Sequence, residues 1–372
     1  SSLFSSSRAV AISFMSTSPD KKDPAKDGDW EKKKTAIFNE FIRCLSSPAH
    51  AYGKLFSFKY TDLIQVLINI KRTLAKEPPL VHCPYPCVVV GDIRGQFTDL
   101  SYFFKYFAKD EKPGWLCQRY VFLGNYVDSA KQSIECVVFL FLLKIRFPKS
   151  IFLLRGSNEC KDVNRELDFR QSFEERLGKD KGADMFHMFN EAFTHLPLAC
   201  LIGTHILCVH GGISPKLTSL DDINKIPKPL NDPTEDDLAC DLLWSEPMLR
   251  LKGFKPKDPL GVNFGRDVLE STMKALNVRL MFRGHQVMRN GFSTSFGTVI
   301  TLYSAPSYTE QPKPGTKQAP PQPGAALYIN KRAQMGFKIL SHGRGEQSFC
   351  KDHDEANKGK DYEESVDDDD NK

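Results

Sequence analysis

No run of apolar residues in this chain is long enough to cross a bilayer. The longest unbroken stretch, Cys136 to Leu143, has eight residues, whereas a spanning helix needs about 20. The ten cysteines (Cys44, Cys83, Cys87, Cys117, Cys136, Cys160, Cys200, Cys208, Cys240 and Cys350) include no CxxC pair and no Cys/His cluster. That removes the signature of structural zinc. Several of them lie inside apolar runs, where a thiol packs as a small hydrophobe. Such usage fits a reducing compartment better than a disulfide framework. Neither sign of charge dominates, the net value being +5. Neither nucleic acid nor a membrane is expected as a partner.

What is present is the composition of a soluble globular protein: 372 residues, 41% hydrophobic, 26% charged, with 27 Phe. That length holds one large domain or two ordinary ones. Charge is distributed unevenly. Residues 341–372 carry 11 acidic and 5 basic side chains, a balance of −6, which leaves +11 on the preceding 340 residues. Residues 1–32 read as a disordered arm, residues 33–340 as the folded domain, and residues 341–372 as a disordered acidic tail that cannot bury enough to order itself. The Pro-rich segment 311–323 (QPKPGTKQAPPQP) reads as a loop within the domain. Residues 1–16 are Ser-rich, with one Arg and no acid, and weakly resemble a transit peptide. A disordered leader, or sequence upstream of a start at Met15, is the preferred reading. An intracellular location, cytoplasmic or nuclear, is therefore expected rather than a mitochondrial one.

Helical periodicity appears over Thr35–Leu45, Tyr60–Ala75, Phe97–Phe107 and Lys131–Phe147. Between and beyond these, one device recurs five times: a short β-type run ends in Gly or Arg-Gly and a polar residue follows at once. The five are VVVGD (88–92), VFLGN (121–125), FLLRGSN (152–158), LCVHGG (207–212) and MFRGH (281–285). Strand–helix–strand alternation predicts parallel strands joined by crossovers. Polar residues at their carboxyl ends then converge on one edge, where open α/β folds place ligand sites. Glycine beside each lets backbone or ligand approach closely.

These five segments resemble the motifs of the phosphoprotein phosphatase family of metallo-dependent Ser/Thr phosphatases, most closely its protein phosphatase 1 branch. LSYFFKYF, KQSIECVVFLFLLKIRFP, GGISPKLTSLDDINKI, LLWSEP and TLYSAPSY extend the likeness over residues 35–340. The resemblance implies an α/β metallophosphatase fold, two mixed β-sheets in a central sandwich flanked by helices, with two metals (Mn, Fe or Zn) at the strand ends. The family pattern Gly-Asp-x-His-Gly is met by Gly91-Asp92-Ile93-Arg94-Gly95, with Arg94 in place of a histidine ligand. Gly-Asp-x-Val-Asp-Arg-Gly becomes Gly124-Asn125-Tyr126-Val127-Asp128-Ser129-Ala130, so Asn125 replaces the bridging aspartate and Ser129 a phosphate-binding arginine. Asp128, whose family role is to orient the catalytic acid, is kept. Gly-Asn-His-Glu becomes Gly156-Ser157-Asn158-Glu159, where Ser157 replaces a ligand and Asn158 replaces the acid. The ligand positions Asp92, His210 and His285 are retained, as is Tyr308 of the phosphate site. No arginine occurs at 258–260, where the second phosphate-binding arginine would fall.

A two-metal centre needs cations about 3.5–4 Å apart, held by a bridging carboxylate that Asn125 no longer supplies. Arg94 cannot deprotonate and would place a fixed positive charge where a divalent ion belongs. Losing a general acid alone typically costs on the order of 10²–10⁴ in rate. The expected product is a pseudophosphatase that acts through protein partners, with an Arg94–Asp92 ion pair where the first metal would sit and at most one weakly bound divalent ion. The alternative is a slow metal-dependent Ser/Thr phosphatase using His210 and His285. The family's docking groove keeps Ile206 and Leu280 apolar, with Met335 for a cysteine. Thr294, Ala333 and Arg279 stand for a Phe, a Leu and an acid. Weakened binding of the usual docking peptide is expected.

Overall fold

The computed structural model describes residues 54–109, 112–306 and 322–340, together with scattered residues between 31 and 43. The arm before residue 31, the acidic tail and residues 311–321 of the Pro-rich loop lie outside the described residues. The helical pattern expected from Thr35 is met by helical residues between Glu31 and Arg43.

Two mixed sheets are laid down by runs of apolar residues. The first has five strands in the order β14-β13-β2-β3-β4, namely Met335–Leu340, Gly324–Ile329, Cys87–Val90, Arg119–Phe122 and Ile151–Leu153. The second has six in the order β1-β5-β6-β10-β12-β11: Leu80–Cys83, Ala199–Ile202, Ile206–Val209, Leu280–Arg283, Val299–Leu302 and Phe292–Ser295. In the first, β2, β3 and β4 are parallel neighbours while β13 runs antiparallel to β2. In the second, β6, β10 and β12 are parallel. Every strand end singled out by the five Gly-polar segments is thus the carboxyl end of a parallel strand.

Side-chain alternation explains the layering. Cys87, Val89, Val121, Leu123, Phe152 and Leu154 of the five-stranded sheet meet Cys200, Ile202, Ile206, Cys208, Phe282 and Leu302 of the six-stranded sheet in one buried layer. Val88, Val90, Tyr120 and Phe122 point the other way, into a cluster built with helices. Those helices are α1 (Tyr60–Leu74), α2 (Phe97–Tyr106), α3 (Ser133–Arg146), α4 (Phe169–Leu177) and α5 (Lys179–Phe193). Three of them fall within two residues of the boundaries that periodicity predicts. Buried on almost all faces, α3 loses Val137 to Leu143 wholly from solvent, which explains why its sequence reads as a continuous apolar run rather than a stripe. A third sheet, with β7 (Glu246–Pro247), β9 (Val262–Phe264) and β8 (Phe254–Pro256), has no counterpart in the sequence reading. Its strands are two or three residues long, too short for periodicity to register. Among the described residues no helix is long and apolar enough to cross a membrane.

Candidate functional site

The two sheets are sewn together where β2 and β12 end. Asp92 bridges Tyr303 in parallel register, and Ser304 N donates to the Asp92 carbonyl at 3.1 Å. Gly91 is needed here, because a Cβ at that position would lie 2.2 Å from Leu302 O. From this seam the chain turns sharply at three non-glycine residues with positive φ: Arg94 (49°), Asn125 (55°) and His285 (71°). Such conformations each cost on the order of 1–3 kcal/mol and collect at functional sites.

Asp92 is wholly buried. Its Oδ2 accepts from Asn125 Nδ2 at 2.8 Å and from Arg94 Nε at 3.1 Å, and its Oδ1 accepts from His285 N at 2.9 Å. Burial acts to raise its pKa, but the Arg94 charge, His210 and the two amide donors outweigh it, and the carboxyl is held below its ordinary range. Arg94 continues through Nη1 to Asp128 Oδ2 at 3.2 Å and through Nη2 to the His285 carbonyl at 3.4 Å. Its guanidinium lies 5.9 Å from the Tyr303 ring centroid. One guanidinium therefore ties two acids from different motifs, and its side chain is only 14% exposed. Asp128 is pushed up by burial, against the opposing pull of Arg94, Ser129 N and Asn158.

Asn158, at the position of the expected acid, has both amide protons committed: Nδ2 donates to Val127 O at 2.7 Å and to Asp128 Oδ2 at 3.1 Å. Asn125 Oδ1 accepts from Asn158 N at 2.8 Å. Ser157 Oγ lies 3.3 Å from Asn125 Oδ1, 3.2 Å from His210 Nε2 and 3.4 Å from His285 Nδ1. His210 Nδ1 is 2.8 Å from Leu123 O. A carbonyl only accepts, so the neutral ring carries its proton on Nδ1 and turns the Nε2 lone pair toward Ser157. Burial holds His210 neutral, with its pKa lowered to about 3. His285 is lowered too, by burial and by Arg283 and Lys257. Its Nε2, 3.3 Å from Glu246 Oε1, is therefore placed to donate a neutral N–H to that carboxylate.

Beneath this layer Glu159, wholly buried, accepts from four backbone amides: Asn125 N and Tyr126 N at 2.8 Å, Gly156 N at 2.9 Å and Val127 N at 3.4 Å. It fixes the turn after β3 against the turn after β4. Two further charged residues escaped the sequence reading. Lys257 Nζ donates to Glu246 Oε1 at 2.7 Å and to Trp244 O at 2.9 Å, and its charge stands 3.4 Å from His285 Nε2 without a hydrogen bond to that N–H. It stands beside the stretch 258–260 that lacks an arginine, and a search for any cation there would have found it. Arg283, the residue before Gly284-His285, is wholly buried and donates to Gly211 O, Gln286 Oε1 and Thr301 Oγ1.

The structure thus brings Asp92, Arg94, Asn125, Asp128, Ser157, Asn158, His210 and His285 into one hydrogen-bonded network. Ser129 joins it through its N–H to Asp128 Oδ1 at 2.7 Å. Tyr308 lies outside the described residues. Of the groove positions, Ile206 is buried in the layer between the sheets, Leu280 packs against it, and Met335 is 42% exposed. Phe292 and Phe337 stack at 3.9 Å across the margin of the two sheets.

Residues 85–289 match the model of the calcineurin-like phosphoesterase family. The serine/threonine-protein phosphatase PP1-delta of Caenorhabditis elegans is 36% identical over 244 residues, 65% of this chain and 77% of that protein. The chain belongs to the calcineurin-like phosphoesterase family. A solved protein serine/threonine phosphatase from Saccharomyces cerevisiae, described as similar to human phosphatase PP5, superposes with a TM-score of 0.67 at 24% identity. It covers 77% of this chain and 91% of its own, which establishes the shared α/β metallophosphatase fold.

The family's chemistry rests on metal ions, and the donor set here fits a dinuclear centre poorly. The first position holds a guanidinium already bonded to the one carboxylate left to it. The second offers two imidazole lone pairs, a hydroxyl and an amide oxygen, all neutral. Among the described residues no group of three or more His, Cys, Asp or Glu side chains is gathered to hold an ion.

Proposed function

We propose that this phosphatase-fold protein is a pseudophosphatase, acting by protein binding or regulation rather than by phosphoester hydrolysis. The observation that carries this reading is the Arg94 guanidinium, bonded to Asp92 at 3.1 Å and to Asp128 at 3.2 Å. A permanent cation there neutralises the acids that a metal would otherwise need, and it repels a second cation. Asn158 supports the same conclusion. Its amide has no proton to give a leaving group, and both its N–H bonds are already used. Its partners are proteins, and the usual docking peptide binds weakly because Thr294, Ala333 and Arg279 stand where the family's groove has a Phe, a Leu and an acid. A cytoplasmic or nuclear setting fits the ten scattered cysteines.

Metal analysis of the purified chain together with phosphatase assays tests the proposal. Neither stoichiometric Mn, Fe nor Zn nor hydrolysis is expected, and both are expected to appear in the fourfold variant Arg94→His, Asn125→Asp, Ser157→Asn, Asn158→His. Two bound ions in the natural chain, with activity abolished by His210→Ala, would overturn it. A single ion with slow hydrolysis would favour the alternative, in which the His210 and His285 lone pairs facing Ser157 hold one metal.

A further inference from the structure

Five large apolar side chains stand in solvent among the described residues, and only two of them, Met248 (42% exposed) and Leu249 (70%), are neighbours in the chain. They belong to the turn Met248–Leu251 between β7 and β8, closed by Leu251 N donating to Met248 O at 3.1 Å. Turns are ordinarily built from Gly, Pro, Asn, Asp or Ser, but this one reads Met-Leu-Arg-Leu. Its backbone is pinned on both sides. Met248 N donates to Phe264 O at 2.9 Å, Gly265 N donates to Gly253 O at 3.0 Å, and Gly253 N donates to the Asp267 carboxylate at 3.0 Å. Gly265 packs so closely that a Cβ there would lie 2.0 Å from Leu251 O. Leu249 is thus held out in water on a fixed backbone, and covering it costs little further ordering.

From Met248 to Lys257 the chain has four cations and no acid. Lys257 is engaged with Glu246, and Arg266 nearby with Glu270. Arg250, Lys252 and Lys255 are exposed. Asp267 feels the Lys252 charge, but its carboxylate already accepts from Gly253 N. Met and Arg are residue types enriched at protein interfaces. Apolar side chains flanked by cations are complementary to a surface that is both apolar and acidic. A second copy of the turn would bring the same cations and be repelled. Two apolar side chains are a small anchor for a bilayer, which even a single acyl chain holds only marginally. Glu246, two residues before the turn, lies 3.3 Å from His285 Nε2, so a segment docked here sits at the margin of the candidate site.

We propose that the Met248–Leu251 turn docks an acidic segment of a protein partner. Apolar side chains of that segment cover Met248 and Leu249, and its carboxylates meet Arg250, Lys252 and Lys255. The proposal rests on the protein-binding reading above and gives that reading a surface. The test is fluorescence anisotropy of the full chain with a labelled peptide of four Glu-Glu-Leu-Leu repeats. Binding is expected, and Leu249→Ser should weaken it about tenfold or more while leaving the urea midpoint in place. Arg250→Glu with Lys252→Glu and Lys255→Glu should weaken it at least as much. The triple reversal Lys76→Glu, Lys149→Glu, Lys161→Glu, at exposed lysines elsewhere, should weaken it far less. A peptide of Glu-Glu-Ala-Ala repeats should bind poorly at 0.15 M salt, where exposed charges are screened beyond about 8 Å. No binding of the leucine peptide, or binding indifferent to Leu249→Ser, overturns the proposal. Binding to phosphatidylserine vesicles but not to the peptide, lost in Leu249→Ser, overturns it in favour of a membrane. Dimers in sedimentation that Leu249→Ser abolishes overturn it in favour of a second copy. Peptide binding as expected in a chain that also holds two metals and hydrolyses phosphoesters supports the surface and overturns only the pseudophosphatase reading.

Discussion

Arg94 Nε lies 3.1 Å from Asp92 Oδ2, and Asp92 has no exposed surface. In this relationship the chain balances a carboxylate that solvent does not reach with a cation of its own, two residues along. An unpaired buried carboxylate is costly, and breaking a buried ion pair from one side typically costs about 3–5 kcal/mol. Arg94→Met is therefore expected to destabilise the protein by about 3 kcal/mol in urea unfolding. Adding Asp92→Asn should recover part of that loss, because the stranded charge is then gone. A chelator should leave the urea midpoint of the natural chain where it is. If chelation lowers that midpoint substantially, the guanidinium is not the group that balances Asp92.

Glu159 holds the site's backbone by accepting from four amides, two on each carboxylate oxygen. Burial pushes its pKa up to about 7, while the four amides pull the other way. Glu159→Gln keeps the shape but aims an NH₂ group at backbone N–H donors. An unsatisfied buried donor costs about 1–3 kcal/mol, and two are created here. The variant is expected to lose about 3 kcal/mol and to show faster amide exchange at Asn125, Tyr126 and Gly156. Exchange faster only elsewhere would count against this role.

Much of this arrangement was legible in the sequence. The order of the strand ends and the boundaries of α1, α2 and α3 follow from periods of 2 and 3.6 and from glycine placement. Those signals are local and dense in apolar residues. The convergence of Arg94 on two acids was half visible: Asp92 was foreseen as its partner, whereas Asp128, 34 residues away, was singled out only for the acid-orienting role that the family resemblance implies. Lys257 and Glu246 were not foreseen, since Glu246 stands on a two-residue strand and Lys257 just past a three-residue one, and tertiary contacts set where both lie. Nor does any local pattern announce the proton positions on His210 and His285. The Leu123 carbonyl and the Glu246 carboxylate set those, and each comes from a different part of the chain.

The Glu246 carboxylate gives a pH dependence of definite sign. Burial works to raise its pKa, but bonds from His285 and Lys257 prevail and take it from 4.5 to about 2. A folded-state value below the unfolded one means that the stabilisation is fully present above pH 4.5. It is lost as pH falls through the interval from 4.5 to about 2. Removing the lysine charge with Lys257→Met should raise the folded value and narrow that interval. Urea midpoints measured from pH 5 down to the acid limit should then differ most at the upper end, the variant showing a shallower acid loss. Parallel profiles for the two proteins would place the acid sensitivity elsewhere.

Cysteine chemistry offers the last check, because the layer between the sheets is built partly of thiols. Cys83, Cys87, Cys200 and Cys208 all lie in it, and Cys200 faces Cys208 across β5 and β6. None of the described cysteines is in a disulfide. Burial pushes the Cys200 and Cys208 thiols well above their ordinary value, and only the thiolate is nucleophilic. Among the eight described cysteines, Cys117 alone is more than slightly exposed. Native protein is therefore expected to be alkylated at Cys117 before any of the other seven, which should react only as urea unfolds the chain. Cys208→Ser places a hydroxyl where no water reaches, at a cost of about 1–3 kcal/mol, whereas Cys208→Ala removes only a small apolar volume. The serine variant should be the less stable of the two. A reversed order would mean that the layer contains a hydrogen-bond acceptor able to satisfy the hydroxyl.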